Sequence, residues 1–327
     1  DGYIGFSVDY YNTNTSNMLL YVPVPLLTGY STSLQNLGKV NNRGWELALT
    51  SQHTFANGFG YSFNANYAKN TNEVKELGPG NAPIISSGSV GHAYYITEVG
   101  KPIGNYYLLV QDGIFATEED LKKYPHFDNT EVGDFRFVDV DGDGKLDLDK
   151  DRTICGNYMP KFTYGFGGKL WYAGFDMDFN FQGVYGNKIL NLNKRYLDNM
   201  EGNTNGTKIA LDRWKSPENP GSGSVNKANR KQTGYNSRTS TWHLESGSYL
   251  RLQNLSLGYT LPRALTQKFK VEKMRVYVSG QNLFTITNYS GYNPEVNARP
   301  SKNLTPGEDY GTYPLARTYM FGLNLTL

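Results

Sequence analysis

The sequence predicts an all-β protein whose antiparallel strands cross a membrane as the wall of a barrel. Three observations carry this. Segments of about ten residues alternate between apolar and polar with period two. The connections between them alternate short and long, as in barrels with short turns on one side and long loops on the other. No stretch approaches the ~18 apolar residues of a membrane helix. The strongest candidate, 17–27, is short and broken by Pro23 and Pro25. A chain that spans a membrane without helices can do so only as a closed barrel. Any one strand would also suit a soluble β-sandwich, but a sandwich has no reason to alternate its connection lengths.

The 327 residues carry Lys+Arg 32 against Asp+Glu 30, so no strong field is set up and nucleic acid is excluded as a partner class. Hydrophobic residues reach only 38%, while the chain holds Tyr 26 and Gly 36, the mixture of an all-β chain with many turns. The single cysteine, Cys155, allows no internal disulfide. No signal peptide is visible and the chain opens at Asp1 in strand-like sequence. A barrel must be exported, so the chain is expected to be part of a longer one.

In order, 3–11 alternates Ile4, Phe6, Val8 and Tyr10 with Gly5, Ser7 and Asp9, and the strand is extended to 22. Residues 23–33 read as a loop. Strand 42–54 sets Trp45, Leu47 and Leu49 against Glu46, Ala48 and Thr50. Asn57-Gly58 is a hairpin turn, and 61–67 returns from it. The segment 77–160 is a long loop, with one helical turn at 117–123 capped by Thr117 ahead of Glu118, Glu119 and Asp120. Strands 162–170 and 175–181 form the next hairpin, turning at 172–174. There Phe175, Met177, Phe179 and Phe181 share one face, and Asp176, Asp178, Asn180 and Gln182 the other, which suits lipid outside and water inside. A second long loop covers 190–244. Strands 249–259 and 275–285 are joined through 262–273, and a third long loop, 288–314, leads into the last strand, 315–327. That makes about eight strands.

The densest polar motif is 139–151, DVDGDGKLDLDKD. Asp139, Asp141 and Asp143 followed by Gly144 match the first, third, fifth and sixth places of a calcium loop. Lys145 would offer its carbonyl, and Asp147 falls in the ninth place. Lys150 stands where a bidentate Glu is expected, with Asp151 one step later as its substitute. Hard oxygen ligands at this density favour a structural Ca²⁺. An acidic turn closed by its own Asx hydrogen bonds is the alternative. The histidines His53, His92, His126 and His243 are scattered without metal or acid–base spacing and read as isolated surface or loop residues. Trp214, Trp242, Tyr235 and Tyr249 lie in or beside loops, as membrane-edge girdle, loop packing or contact surface. No nucleophile elbow, phosphate loop or paired catalytic carboxylates stand out, so no enzyme is expected.

Four stretches carry a family resemblance. NLGKVNNRGWELALT (36–50) resembles a recurrent strand of TonB-dependent transporters. FRFVDVDGDGKLDLDKDRTICGNYMPKFTYGF (135–166), GSYLRLQNLSLGYTLP (247–262) and RVYVSGQNLFTITNYSGYNPEV (275–296) resemble its SusC-like branch. They occur in family order across most of the chain. The resemblance implies the C-terminal portion of an outer-membrane barrel of Bacteroidetes, about eight of 22 strands, with long extracellular loops. It also implies a plug and a TonB-contacting segment elsewhere in the protein, and a surface SusD-like lipoprotein that delivers an oligosaccharide or, in some cases, a peptide. The family usually ends on an aromatic residue, whereas this chain ends on Leu327. A secreted calcium-stabilised adhesin or lectin, or a glycan-degrading β protein, are the readings from other classes.

Overall fold

The computed structural model describes residues 3–23, 27, 29–30, 32–36, 38–231 and 233–327. Eight long strands make one sheet: β1 (Ile4–Ser16), β2 (Lys39–Thr54), β3 (Gly60–Glu76), β4 (Phe162–Tyr172), β5 (Phe175–Tyr185), β6 (Tyr249–Thr260), β7 (Lys273–Thr287) and β8 (Thr318–Thr326). Each pairs with the next, antiparallel, in chain order. Strands β1 and β8 do not meet, so these eight form an open stretch of wall.

The strands run further than alternation alone showed. Strand β3 continues to Glu76 because Asn70 and Asn72, polar and out of pattern, still pair with Gly44 and Asn42. Strand β1 stops at Ser16, and Leu19–Pro23 instead pairs with Thr32–Asn36 as a separate hairpin inside the expected loop. The tip of that loop, 24–26, 28 and 31, lies outside the described residues. The last strand begins at Thr318, three residues later than its alternation suggests.

Register sorts the side chains into two faces, because residues paired across strands point the same way. Phe6, Leu49, Ala65, Phe166, Phe181, Leu252 and Phe284 form one row of the outer face. Tyr61, Leu170, Met177, Leu257, Val278 and Phe321 form another. Apart from Leu252, which is buried, no residue of these rows is fully covered, and Phe6 is 68% and Phe321 87% exposed. An apolar hollow of about 690 Å³ lies among Leu170, Met177, Leu257, Val278 and Phe321 on this face, where acyl chains would fill it. Aromatic rings mark both rims. Tyr3, His53, Phe55, Phe59 and Tyr172 make a chain of ring contacts at the short-turn end. Tyr10 and Trp45, and Tyr67, Phe162 and Tyr185, do so at the long-loop end. Trp45 and His53 stand eight positions apart on β2, roughly 26 Å at ~3.3 Å per residue. That is close to the ~25 Å apolar band of a membrane barrel. Two glycines let rings lie flat on the wall: a Cβ on Gly183 would meet the Tyr164 ring at 2.3 Å, and one on Gly60 the Trp171 ring at 2.2 Å.

The buried core lies in the loops, not in the wall. The segment 77–160 is not a bare loop but carries a four-stranded sheet of Ile84–Ser87, Tyr94–Thr97, Asn105–Leu109 and Arg152–Asn157. Its helix, Glu118–Lys123, starts where expected, with Thr117 and Asp120 capping each other. Tyr95, Tyr106 and Leu108 of this first loop pack on Leu190 and Leu192 of the second. Phe127, Phe135 and Phe137 pack with Trp214, Tyr235 and Trp242, and Ile189 with Tyr289 and Val296 of the third. Three loops therefore pack on one another through separate apolar clusters and form a cap over the long-loop end.

Candidate functional site: a polar luminal wall beneath a three-loop cap

The inner face is the complement of the outer one. Thr50, Asn64, Gly167, Asn180, Asn254, Gln281 and Thr318 make a row that crosses seven strands without a charge. Nearer the short turns Lys169 pairs with Asp178, and Arg275 grips Asp176 through two hydrogen bonds of 2.8 and 2.6 Å. That fork crosses β6 at Gly258, where a Cβ would meet the guanidinium at 2.3 Å. A larger residue there would lift the arginine off its carboxylate.

Cap and wall are joined by polar side chains. On β2, Asn42 accepts from the Asn72 amide at 2.9 Å, and Asn72 in turn accepts from Ile103 N–H of the first loop at 2.9 Å. Asn157 donates to Ile103 O at 3.1 Å and to Asn105 at 3.0 Å. On β6, Arg251 is 4% exposed and holds three partners. They are Thr285 at 3.0 Å, Asn293 at 2.8 Å and the Glu295 carboxylate, which also accepts from Tyr249. The third loop is tied to the other two through Glu308, which is fully buried. Its carboxylate accepts from Ser89 N–H at 3.0 Å, from the Ser89 hydroxyl and from Tyr95 at 3.1 Å, all in the first loop. Its backbone pairs in parallel with Leu190 of the second.

In the acidic loop, the carboxylates of Asp139, Asp141 and Asp143 lie within 4.8 Å of one another. Gly142 and Gly144 take φ of 74° and 82°, which wraps the backbone so that their N–H groups reach Asp139 at 2.7 and 2.8 Å. Asp147 and Asp151 stand apart from that trio. Asp147 accepts from the N–H groups of Asp149 and Lys150, which hold its carboxyl below the usual range. Asp151, 1% exposed, accepts from Val140 N–H at 2.7 Å and Asp147 N–H at 2.6 Å, so it frames the loop from inside. Lys145 gives its N–H to Asp143 at 2.9 Å. The Lys150 ammonium stays exposed and stands 3.9 Å from Asp143. The flanks are strands of the cap, Phe135–Phe137 and Arg152–Asn157.

A family model described as TonB dependent receptor-like, beta-barrel, matches residues 1–283. The chain belongs to the TonB-dependent receptor β-barrel family. It is 34% identical over 338 residues to TonB-dependent receptor P3 of Formosa agariphila, covering 99% of this chain and 32% of that protein. It is 26% identical over 331 residues to TonB-dependent receptor SusC of Bacteroides thetaiotaomicron, covering 99% of this chain and 30% of that one. Among solved structures, one titled "Structure of the RagAB peptide transporter" superposes with a TM-score of 0.78 at 25% identity, covering 99% of this chain and 33% of that chain. The chain spans about a third of the length of these relatives, and it is SusC-like. Membership in a membrane-barrel family sets aside the soluble sandwich, lectin and hydrolase readings. The named relatives are receptors and transporters, which fits a protein that is not an enzyme.

The receptor motifs now have physical roles. Asn42, Arg251, Asn293 and Glu295 lie inside the stretches that carried the resemblance, and they are the joints between wall and cap. The other residues singled out from the sequence serve packing. Tyr235 stacks on Phe127 at 4.2 Å, Trp242 packs tilted against Phe135 at 5.1 Å, and Trp214 lies over Gly133. His53 belongs to the outer girdle. His243 is not a surface residue: it is fully buried, and burial with Lys194 and Arg195 nearby brings its ring down to about 3, so it stays neutral. Burial pushes the Cys155 thiol up to about 11, which leaves it unreactive. Glu308 was missed because nothing near it in sequence signals its partner, Ser89, 219 positions away.

Proposed function

We propose that this chain is the barrel part of an outer-membrane importer that takes up a nutrient, an oligosaccharide or a peptide. A SusD-like surface lipoprotein would supply the cargo and TonB would supply the energy. The plug and the TonB-contacting segment belong to other parts of the receptor. The observation that carries this reading is the inside-out wall, apolar outside and polar inside, closed above by loops that pack on one another. The cap is rigid enough to present a docking surface and polar enough beneath to pass a hydrated cargo. Its exposed aromatics support a partner on top: Tyr196 and Tyr310 touch at 6.1 Å and are 41% and 46% exposed, and Tyr313 is 90% exposed. Deleting 195–240 would not probe this surface cleanly, since Trp214 and Tyr235 belong to the cap core. Substituting Tyr196→Ser with Tyr310→Ser leaves that core intact. Uptake of labelled oligosaccharide and peptide mixtures and co-purification of the lipoprotein should both fall at least about ten-fold, at ~2 kcal/mol for a central aromatic. Undiminished uptake and retention would remove this surface from the mechanism.

We also propose that Asp139, Asp141 and Asp143 hold a structural Ca²⁺, with the Lys145 carbonyl, Asp147 and Asp151 as the further ligands suggested by spacing. The trio supplies hard oxygens on a glycine-wrapped turn, which suits this ion. The ion would cancel the repulsion among three carboxylates and fix the link between Phe135–Phe137 and Arg152–Asn157. Asp141→Ala, or a chelator, should then speed proteolysis within 139–151 by several-fold and leave membrane insertion unchanged. Equal cleavage rates with calcium and with chelator would leave the acidic turn as a self-bonded one.

A further inference from the structure

The turn that joins β6 to β7 is unlike the other short turns. Residues 55–59 and 173–174 only reverse the chain, whereas 261–272 folds a helical turn, Arg263–Thr266, and a tighter one, Gln267–Phe269. It is held from within. Thr266 and Val271 are buried, the Thr266 hydroxyl donates to Arg263 O at 3.2 Å, and Val271 N–H donates to Thr266 O at 3.2 Å. Leu265 and Phe269, four residues apart and so on one side of the turn, are left exposed, Phe269 to 75%. Arg263, Lys268 and Lys270 flank them, all exposed. None of these three cations makes an ion pair or side-chain hydrogen bond among the described residues. Glu272 is the single carboxylate of the stretch. Lys270 takes φ of 57°, where glycine would sit without strain, so the local backbone does not call for a lysine.

The lipid-facing side of the wall runs on to the base of this turn. Tyr259 pairs with Val276 on the outer face, and its ring lies 4.5 Å from that of Phe175, in the aromatic belt of the short-turn end. Leu261 and Met274 come two residues further on, so they keep to the same face, and Leu261 N–H donates to Met274 O at 2.9 Å. The turn therefore begins just past the apolar band, in the headgroup layer, which is ~5–7 Å deep on each side of a bilayer. We propose that 261–272 is an interfacial anchor for anionic phospholipid. Leu265 and Phe269 dip into the acyl boundary, and Arg263, Lys268 and Lys270 meet headgroup phosphates in the leaflet on the short-turn side; the inference rests on the membrane-barrel reading. Apolar residues flanked by cations are the pattern of a segment lying in the interface plane. Long basic side chains keep their stems on apolar surface while their heads reach the phosphates. Each cation near the surface adds about five-fold to the affinity for an anionic membrane. An acidic protein would satisfy the cations too, but continuity with the outer face puts lipid beside Phe269.

The test places the complete receptor in nanodiscs of phosphatidylcholine, alone or with one phosphatidylglycerol in four, and reads hydrogen exchange in 261–272. Exchange should be several-fold slower with phosphatidylglycerol present. Salt at 1 M, where the Debye length is about 3 Å, should remove most of that difference. Arg263→Gln with Lys268→Gln should cut the lipid effect by about five-fold for each charge lost. Lys270→Gly removes a charge while easing the backbone, so a smaller lipid effect in this variant cannot come from a damaged turn. Leu265→Ser with Phe269→Ser should speed exchange in both kinds of disc. Equal exchange in the two discs for the parent receptor overturns the proposal, because the turn is then free of lipid or covered by the rest of the receptor. A lipid effect that survives loss of all three cations overturns it as well. Strands β4 to β7 report separately on the barrel: if they lose protection in the disc, the membrane-barrel reading fails and the anchor with it.

Discussion

Glu308→Ala should open the cap while the wall stays folded. The side chain is fully buried and no cation lies within ion-pair distance among the described residues, so hydrogen bonds alone hold it. Removing it strands the buried Tyr95 hydroxyl, while the N–H and hydroxyl of Ser89, an exposed residue, lose their partner where water can reach them. A buried orphaned donor costs about 1–3 kcal/mol and water recovers most of the loss at Ser89, so the total is about 2–3 kcal/mol. Glu308→Gln keeps the shape but turns an amide N–H₂ towards donors, and should cost about half as much. The loss falls on the contacts between loops, because Glu308 also pairs with Leu190, and Leu192 N–H reaches Asp309 O at 3.0 Å. Hydrogen exchange should therefore speed up in 84–97 and 188–192, while β4 to β7 keep their protection. Gly88 predicts the converse: a Cβ there would meet a Glu308 oxygen at 1.9 Å, so Gly88→Ala should mimic the loss from the other side. Parent-like exchange across 84–97 in Glu308→Ala would show that the carboxylate is not the joint.

The wall was legible in the sequence and the cap was not, for one physical reason. A lipid-facing strand must be apolar at every second position over the whole membrane height, so Phe175, Met177, Phe179 and Phe181 announce their face locally. Turn chemistry such as Asn57-Gly58 then fixes where the strands reverse. The cap strands are two to six residues long, too short for a period to show. Their stability comes from pairs far apart in sequence, Tyr95 with Glu308 or Phe127 with Tyr235, which no window reveals. The acidic loop lies between these cases. Its spacing brought out Asp139, Asp141 and Asp143, which do converge. Spacing could not show that Asp151 would be buried on the backbone of Val140 and Asp147, since that depends on where the two flanking strands sit.

Arg251→Leu should release the third loop from the wall. The guanidinium is almost wholly buried at the luminal end of β6, and its fork spans Thr285, Asn293 and Glu295 at once. Removing one partner of a buried pair usually costs ~3–5 kcal/mol, because the other charge is left without compensation. Here the Glu295 side chain is 35% exposed and keeps its bond from Tyr249, so water recovers part of the loss and about 2–3 kcal/mol remains. Arg251→Lys should not restore it, since an ammonium cannot meet three acceptors placed for a planar fork. The expected signature is faster exchange in 288–296, with the first two loops unaffected, which separates this joint from the one at Glu308. A double-mutant cycle with Glu295→Gln isolates the pair. A coupling of about 1.5 kcal/mol or more would show that Arg251 and Glu295 act together. A coupling below about 0.5 kcal/mol would mean that Arg251 holds the third loop through Asn293 alone.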